Sequence, residues 1–172
     1  MTKIVLVGGL ALAVVSVWGS AVTAQKAGDA CALLEAAEIQ VVAGTGKVGA
    51  GQPSTDPLGS RLCRYQWGSG ATVQGGQSTL DVSVTPISKA YPGTDPSALR
   101  QGLLGSVKAG DPTAAVIAAV GDAAIYQSNA PIRVATTALM KGNMLIVTFE
   151  SADARAKKDQ VIALLKAAAG RL

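Results

Sequence analysis

Histidine is absent from this chain, aromatic residues are scarce, and only two cysteines occur among its 172 residues. The lack of histidine excludes a Ser-His-Asp triad and leaves too few ligands for a zinc site built from thiols and imidazoles. One Phe, two Trp and three Tyr are too few for a platform on which bases or sugars stack. The formal net charge of +4 is too modest to indicate nucleic acid or an anionic membrane. We therefore expect no metal, no cofactor and no nucleic-acid partner.

The N-terminus has the pattern of a signal peptide. Lys3 precedes an uncharged apolar run over residues 4–17, and the tripeptide ending at Ala24 has small side chains where a signal peptidase cleaves. The run is shorter than the ~20 residues of a membrane span. We predict a signal peptide over 1–24 and a mature single domain over 25–172, periplasmic or secreted, without stable membrane insertion. An uncleaved N-terminal anchor is the alternative.

The two cysteines, Cys31 and Cys63, allow a single intramolecular pairing. Their spacing does not match the C-x-x-C of a redox pair, and an exported protein meets an oxidising compartment. A structural disulfide is therefore predicted, and it would stabilise the fold by roughly 3–4 kcal/mol. A lipid anchor on Cys31 is disfavoured because Lys26 and Asp29 separate it from the apolar run.

Apolar residues at helical spacing predict three helices, over about 29–44, 95–107 and 153–169. Gly102 and Gly105 weaken the second of them. The apolar stripe of the first helix consists of Ala30, Leu34, Ala37, Val41 and Val42.

Alternation of apolar and polar residues predicts strands at about 62–67 and 79–85. Three further strands are predicted at about 124–127, 132–140 and 144–149, which makes five. The first two strands are expected to form an antiparallel hairpin. The tripeptide 141–143 predicts a tight hairpin turn between the last two, whereas 45–59 predicts a long loop. The predicted fold is α+β, with a largely antiparallel sheet of about five strands packed against three helices, and with one disulfide.

Two acidic residues are candidates for acid–base chemistry. Glu38 lies near the apolar stripe of the first helix, where burial would raise its pKa; a solvated carboxylate near a helix start is the simpler alternative. Asp122 could bind a cation or act as an acid, although a turn residue that bonds its own backbone is the simpler explanation.

Three further motifs have simple structural explanations. The segment 44–47, Gly-Thr-Gly-Lys, lacks the preceding strand and the following hydroxyl residue of a phosphate loop. Met140 and Met144 flank a turn and could bind Cu(I), but no third soft ligand is near. Basic residues on the last helix fit a solvated face, with binding to an anionic cell-wall polymer as the alternative: Arg155, Lys157, Lys158, Lys166 and Arg171.

Three segments of the chain resemble a group of small exported bacterial proteins, many of them lipoproteins, of unknown function. These proteins open with an Asp-Ala-Cys-x-Leu-Leu motif, matched here by residues 29–34, and have a second cysteine in an aromatic strand, matched by 63–67. A Gly-Asp-Ala-Ala segment is matched by 121–124. Glu35 stands where the group has Thr, and no lipobox precedes Cys31. The resemblance implies an α/β sandwich with a Cys–Cys link, and it supplies no activity.

Together these patterns predict a binding domain rather than an enzyme. We expect an exported, non-enzymatic domain that binds a small ligand or a protein partner in the cell envelope. A concave sheet face near Tyr65, Trp67 and Tyr126 is the predicted recognition surface, with Gly-rich loops at its rim. Two alternatives are a self-assembling structural protein, which pairs through an exposed edge strand or an Ala-rich helix, and a hydrolase or isomerase that uses Glu38 or Asp122.

Overall fold

The computed structural model describes residues 29–108 and 112–172, so the predicted signal peptide over 1–24 lies outside the described residues. The strands are β1 (Gln52–Thr55), β2 (Arg61–Trp67), β3 (Ser78–Pro86), β4 (Ala115–Val116), β5 (Ala123–Ala130), β6 (Arg133–Met140) and β7 (Asn143–Glu150). The helices are α1 (Ala36–Ala43), α2 (Ile87–Ala90), α3 (Pro96–Lys108) and α4 (Lys158–Arg171), with short 3-10 turns at Ala30–Ala32 and Ala154–Lys157. The strands form one antiparallel sheet in the order β1-β2-β3-β7-β6-β5-β4.

The prediction of five strands and three helices is wrong, because the described residues form seven strands and four helices. The three additional elements, β1, β4 and α2, contain two to four residues each. Segments of two to four residues are too short to show the periodicity of a helix or a strand in the sequence. β1 and β4 exist because β2 and β5 offer backbone partners at the sheet edges. The α+β class itself is confirmed.

The first predicted helix is divided in two. The structure has a 3-10 turn, then a bend at Leu33 and Leu34, then α1 with Glu35 as its extended N-cap. The backbone N–H of Glu35 donates to Glu38 Oε2 at 2.8 Å, which closes one half of a capping box. The break rotates α1, so that Val42 is buried while Val41, predicted on the apolar stripe, is 64% exposed.

The predicted hairpins are confirmed. β2 and β3 pair along their length, and β6 and β7 pair on either side of a two-residue turn formed by Lys141 and Gly142. Both turn residues have positive φ, at 48° and 73°, as a tight hairpin of this twist requires.

One face of the sheet forms the main core. Side chains alternate along each strand, so that Leu80, Val82 and Val84 of β3 point to the same face and are fully buried. Helix α4 lies across β6 and β7 on this face, and α1 packs beside it. Val161 and Leu165 of α4 complete the same core cluster.

The opposite face of the sheet is covered by a helix near its β4–β5 edge. Helix α3 packs on β4 and β5, whereas β2 and β3 present polar side chains to solvent on this face. There Arg64 donates two hydrogen bonds to Asp81, at 2.8 and 2.7 Å, and this pair raises the pKa of the guanidinium. The fold is therefore a sheet with α1 and α4 on one face and α3 over part of the other.

A disulfide joins Cys31 to Cys63, with an S–S distance of 1.99 Å. It links the first 3-10 turn to the centre of β2, as predicted from the cysteine count. A disulfide is consistent with an oxidising, exported environment. Within the described residues, no helix has the length and apolar content needed to cross a membrane.

Candidate functional site

The three aromatic residues predicted to bind a ligand are buried on the core face of the sheet. Tyr65, Trp67 and Tyr126 expose 6%, 8% and 2% of their surfaces. The Tyr65 hydroxyl donates to the carbonyl of Cys31 at 3.1 Å, and burial raises the pKa of this hydroxyl. Trp67 stacks on Phe149 with ring centroids 5.8 Å apart. These contacts give Tyr65 and Trp67 a packing role.

The sheet topology separates Tyr126 from the other two rings. Four strand spacings lie between β2 and β5, which is about 19 Å at ~4.8 Å per spacing. Lys158 Nζ lies 4.9 Å from the centre of the Tyr126 ring, in cation–π geometry. The structure therefore brings Tyr65 and Trp67 together and leaves Tyr126 apart. Ligand binding by these rings stays a prediction.

Tyr65 does line a small crevice of about 230 Å³ between α1 and the Gly-rich segment 48–51. Gly51 lies so close to this ring that a Cβ at that position would be 2.8 Å from Tyr65 Cε1. The loop therefore closes tightly over the aromatic wall.

A more open cavity lies between α3 and the solvent-exposed side of the sheet, and we call it the α3 pocket. Its volume is about 270 Å³, and its lining is almost entirely apolar. Leu139 and Met144 form its floor, on the face opposite to Met140 and Leu145, because neighbouring residues alternate along a strand. The remaining lining residues are Tyr91, Thr94, Ala98, Leu99, Gly102 and Leu103.

The segment that precedes α3 positions this helix over Leu139 and Met144. The N–H of Ile87 donates to the carbonyl of Gly142 at 2.9 Å, which fixes α2 against the β6–β7 turn. Asp95 then starts α3, since its carboxylate accepts the N–H of Ser97 at 2.6 Å. That hydrogen bond also lowers the pKa of Asp95.

Two glycines of α3 differ in their relation to the pocket. Gly102 lines the pocket and Gly105 does not, although a Cβ at either position would meet nothing within 4 Å. A side chain at position 102 would therefore be added to the lining of the pocket, whereas one at position 105 would not. The sequence identified both glycines as weak points of the helix, but it could not show which of them faced a cavity.

A second concavity runs between α1 and α4 on the core side of the molecule, and we call it the helix groove. Its volume is about 420 Å³. The exposed Val41 and the small Ala163 and Ala167 form its apolar part, together with Leu164. Glu38, Asp159 and Gln160 supply its polar atoms. The sequence missed this groove because it predicted Val41 to be in the core.

Glu38 is held as a carboxylate by Arg171. The guanidinium donates to both carboxylate oxygens of Glu38, at 2.8 and 2.9 Å, to Glu35 Oε1 at 2.9 Å and to the carbonyl of Leu33 at 3.0 Å. These hydrogen bonds lower the pKa of Glu38, against the opposing effect of partial burial. A carboxyl of lowered pKa is a poor general acid at neutral pH. Glu38 is therefore unlike the buried acid that its position in the sequence suggested.

The other candidate residues are dispersed. Asp122 is exposed in the turn before β5, where its N–H donates to the carbonyl of Leu139 at 2.7 Å. Met140 and Met144 point to opposite faces of the sheet, so their thioethers cannot converge on one Cu(I) ion. Among the described residues, no three His, Cys, Asp or Glu side chains cluster as metal ligands.

The basic residues of the C-terminal region are mostly engaged within the molecule. Arg155 donates to Ser128 Oγ at 2.9 Å, Lys157 pairs with Asp153 at 3.9 Å, and Arg171 bonds to α1. Three of the five basic residues named in the sequence are therefore bonded to groups of the chain itself.

The fold and its cavities define a disulfide-linked α+β domain with helices on both faces of an antiparallel sheet. No protein-family model matches this chain, and comparisons with curated proteins and with solved structures also find no match.

Proposed function

We propose that this protein is an exported, non-enzymatic domain that binds a small apolar ligand in the α3 pocket. The observation that carries the proposal is an apolar concavity, lined by Gly102 and other residues of α3 and by Leu139 and Met144 of the sheet, on an otherwise polar sheet face. Ligand sites are typically concave and apolar, with a few polar groups that orient the ligand. Tyr91 and Thr94 supply the hydroxyl groups of this lining.

The size of the pocket narrows the ligand class. Pockets for drug-sized molecules have volumes of roughly 300–1,000 Å³, whereas the α3 pocket has about 270 Å³. A slender ligand fits this volume better than a fused ring system. The proposed ligand has an unbranched or singly branched apolar body and a polar end that reaches the hydroxyls of Tyr91 and Thr94.

A titration with 1-octanol, followed by ¹H–¹⁵N NMR, tests the proposal. We expect saturable shifts at the amides of Leu103, Leu139 and Met144. Gly102→Leu fills the pocket and should weaken binding at least tenfold, which corresponds to about 1.4 kcal/mol. Gly105→Leu is the matched control, because it adds the same side chain to the same helix outside the pocket.

Absence of saturable shifts contradicts the proposal. So does an equal loss of affinity in the Gly102 and Gly105 variants, since that result assigns the effect to the helix rather than to the pocket.

The exported location rests on the N-terminal pattern and on the disulfide. We propose cleavage after Ala24, and the resemblance to exported bacterial proteins agrees with this setting. Intact mass of the protein isolated from its native host should show a chain that begins at Gln25. A mass that retains residues 1–24 overturns the cleavage and favours an N-terminal anchor.

A further inference from the structure

The helix groove contains an apolar side chain, Val41, that is largely exposed to solvent. Val41 is 64% exposed, while Val42 beside it is buried at 3%. A single exposed valine is ordinary on a protein surface. Here, however, Val41 borders a concavity of about 420 Å³ whose floor includes the nearly buried Leu164. The apolar surface is therefore concave and continuous with the core.

The composition of the groove suits a helical occupant. Ala163 and Ala167 are four residues apart on α4, so they lie on the same side of this helix and both line the groove. Their small side chains allow the backbone of another helix to approach closely. Helices commonly bind in this way, with the apolar face of an amphipathic helix placed in a groove between two others.

The charged residues at the groove indicate the sign of the charge that a bound partner should carry. Asp159 forms none of the ion pairs found in the described part of the chain, and Glu38 shares the guanidinium of Arg171 with Glu35. One cation thus serves two carboxylates, and a third carboxylate is unpaired. The two charged side chains that line the groove, Glu38 and Asp159, are therefore both acidic, although the chain as a whole has a formal net charge of +4.

We propose that the helix groove docks a basic amphipathic helix of a protein partner, independently of the α3 pocket. Apolar residues of the partner helix would contact Val41, Ala163 and Leu164, and flanking Lys or Arg side chains would face Glu38 and Asp159. An anionic membrane surface is disfavoured as the occupant, because these carboxylates would repel it.

A pair of synthetic peptides tests this inference with the intact mature protein. The first peptide has an amphipathic helical pattern of leucine and lysine, and the second replaces every lysine by glutamate. We expect fluorescence anisotropy to show saturable binding of the lysine peptide, at least tenfold tighter than that of the glutamate peptide. The affinity should fall as salt is added, because exposed charges are screened.

Two variants with the same added charge locate the site. Ala163→Lys places a cation inside the groove, four residues after Asp159, and should weaken binding of the lysine peptide at least tenfold. Ala156→Lys adds the same charge to an exposed position outside the groove and should leave the affinity unchanged.

Equal affinity for the two peptides, or equal effects of the two lysine variants, overturns the inference. A third outcome also overturns it: sedimentation that shows a dimer, lost with Ala163→Lys but not with Ala156→Lys, would assign the groove to a second copy of this chain.

Discussion

At the scale of single residues, Arg171 connects the two ends of the described chain. From the last turn of α4 it reaches Glu35 and Glu38 at the start of α1, and it also reaches the carbonyl of Leu33. The carboxylates thereby gain a cation, and the end of α4 keeps a positive charge near its carbonyl groups, which the helix dipole favours. This side chain therefore adds a polar link to the apolar packing of α1 against α4, beside the helix groove.

Replacement of Arg171 by Met should lower the free energy of unfolding by about 1–2 kcal/mol at pH 7. The folded state lowers the pKa of Glu38 below its ordinary 4.5, so this stabilisation is present above that value and is lost as the pH falls through the lowered pKa. Urea unfolding of both proteins at pH 7 and near pH 3 measures the difference, which should shrink at the acidic pH.

Lys166→Met is the control for this substitution, because it removes an exposed cation from the same helix and should change stability by less than about 0.5 kcal/mol. A difference between wild type and Arg171→Met that stays constant with pH would show that Glu38 is not part of the effect.

Tyr65 and Trp67 show which part of the candidate site could be predicted from the sequence. Alternation placed Tyr65 and Trp67 on one side of β2, and the structure has them so. It could not decide whether that side met solvent or other elements. The 3-10 turn, α1 and the segment after it cover both rings, and these contacts are distant in sequence from β2.

At the scale of elements, the connection between β2 and β3 depends on glycine. Residues 68–77 join the strands, and two glycines face each other across this loop. A Cβ on Gly70 would lie 1.9 Å from the carbonyl oxygen of Gly75, so the backbone of the loop would have to shift to accommodate it. Glycine is therefore required for the close approach of the two sides of the loop.

Gly70→Ala should consequently destabilise the protein by about 1–3 kcal/mol. Gly75→Ala is the matched variant in the same loop, since the nearest atom to its new Cβ is the flexible Thr72 Oγ1 at 3.3 Å. Its effect should be under about 1 kcal/mol. Thermal unfolding of the two variants gives the comparison, and equal shifts in Tm would show that the close approach does not constrain the loop.

The elements that sequence analysis missed have a common physical reason. The four residues of β1 include Pro53, and their composition does not favour a strand. They are extended because they pair with Arg61–Arg64 of β2. By contrast, β3 and β7 have nine and eight residues with clear alternation, β6 has eight residues, and the existence of all three was predicted from the sequence.

At the scale of the whole molecule, the disulfide joins the start of the described chain to the sheet. Cys63 is fully buried in the core, whereas Cys31 lies in the 3-10 turn that precedes α1. Closing this loop restricts the unfolded chain, and the pairing also holds the turn against β2. The N-terminal elements that shape the helix groove are thus attached to the sheet covalently and through Arg171.

The double variant Cys31→Ala, Cys63→Ala should unfold at lower urea concentration, with a loss of about 3–4 kcal/mol in the free energy of unfolding. Reduction of the wild-type protein should shift its midpoint in the same direction. Alkylation without reductant, followed by intact mass, should add no label, and addition of two labels would contradict the disulfide in the isolated protein.

The sequence by itself determined the α+β class, the longer strands and their hairpins, the pairing of two cysteines and the positions of the two α3 glycines. These features depend on local periodicity, turn chemistry and counting, which one chain contains. The tertiary structure decided the number of strands, the burial of Tyr65, Trp67 and Tyr126, and the exposure of Val41. It also decided which glycine lines a pocket, because burial and cavities depend on elements that meet only when the sheet assembles.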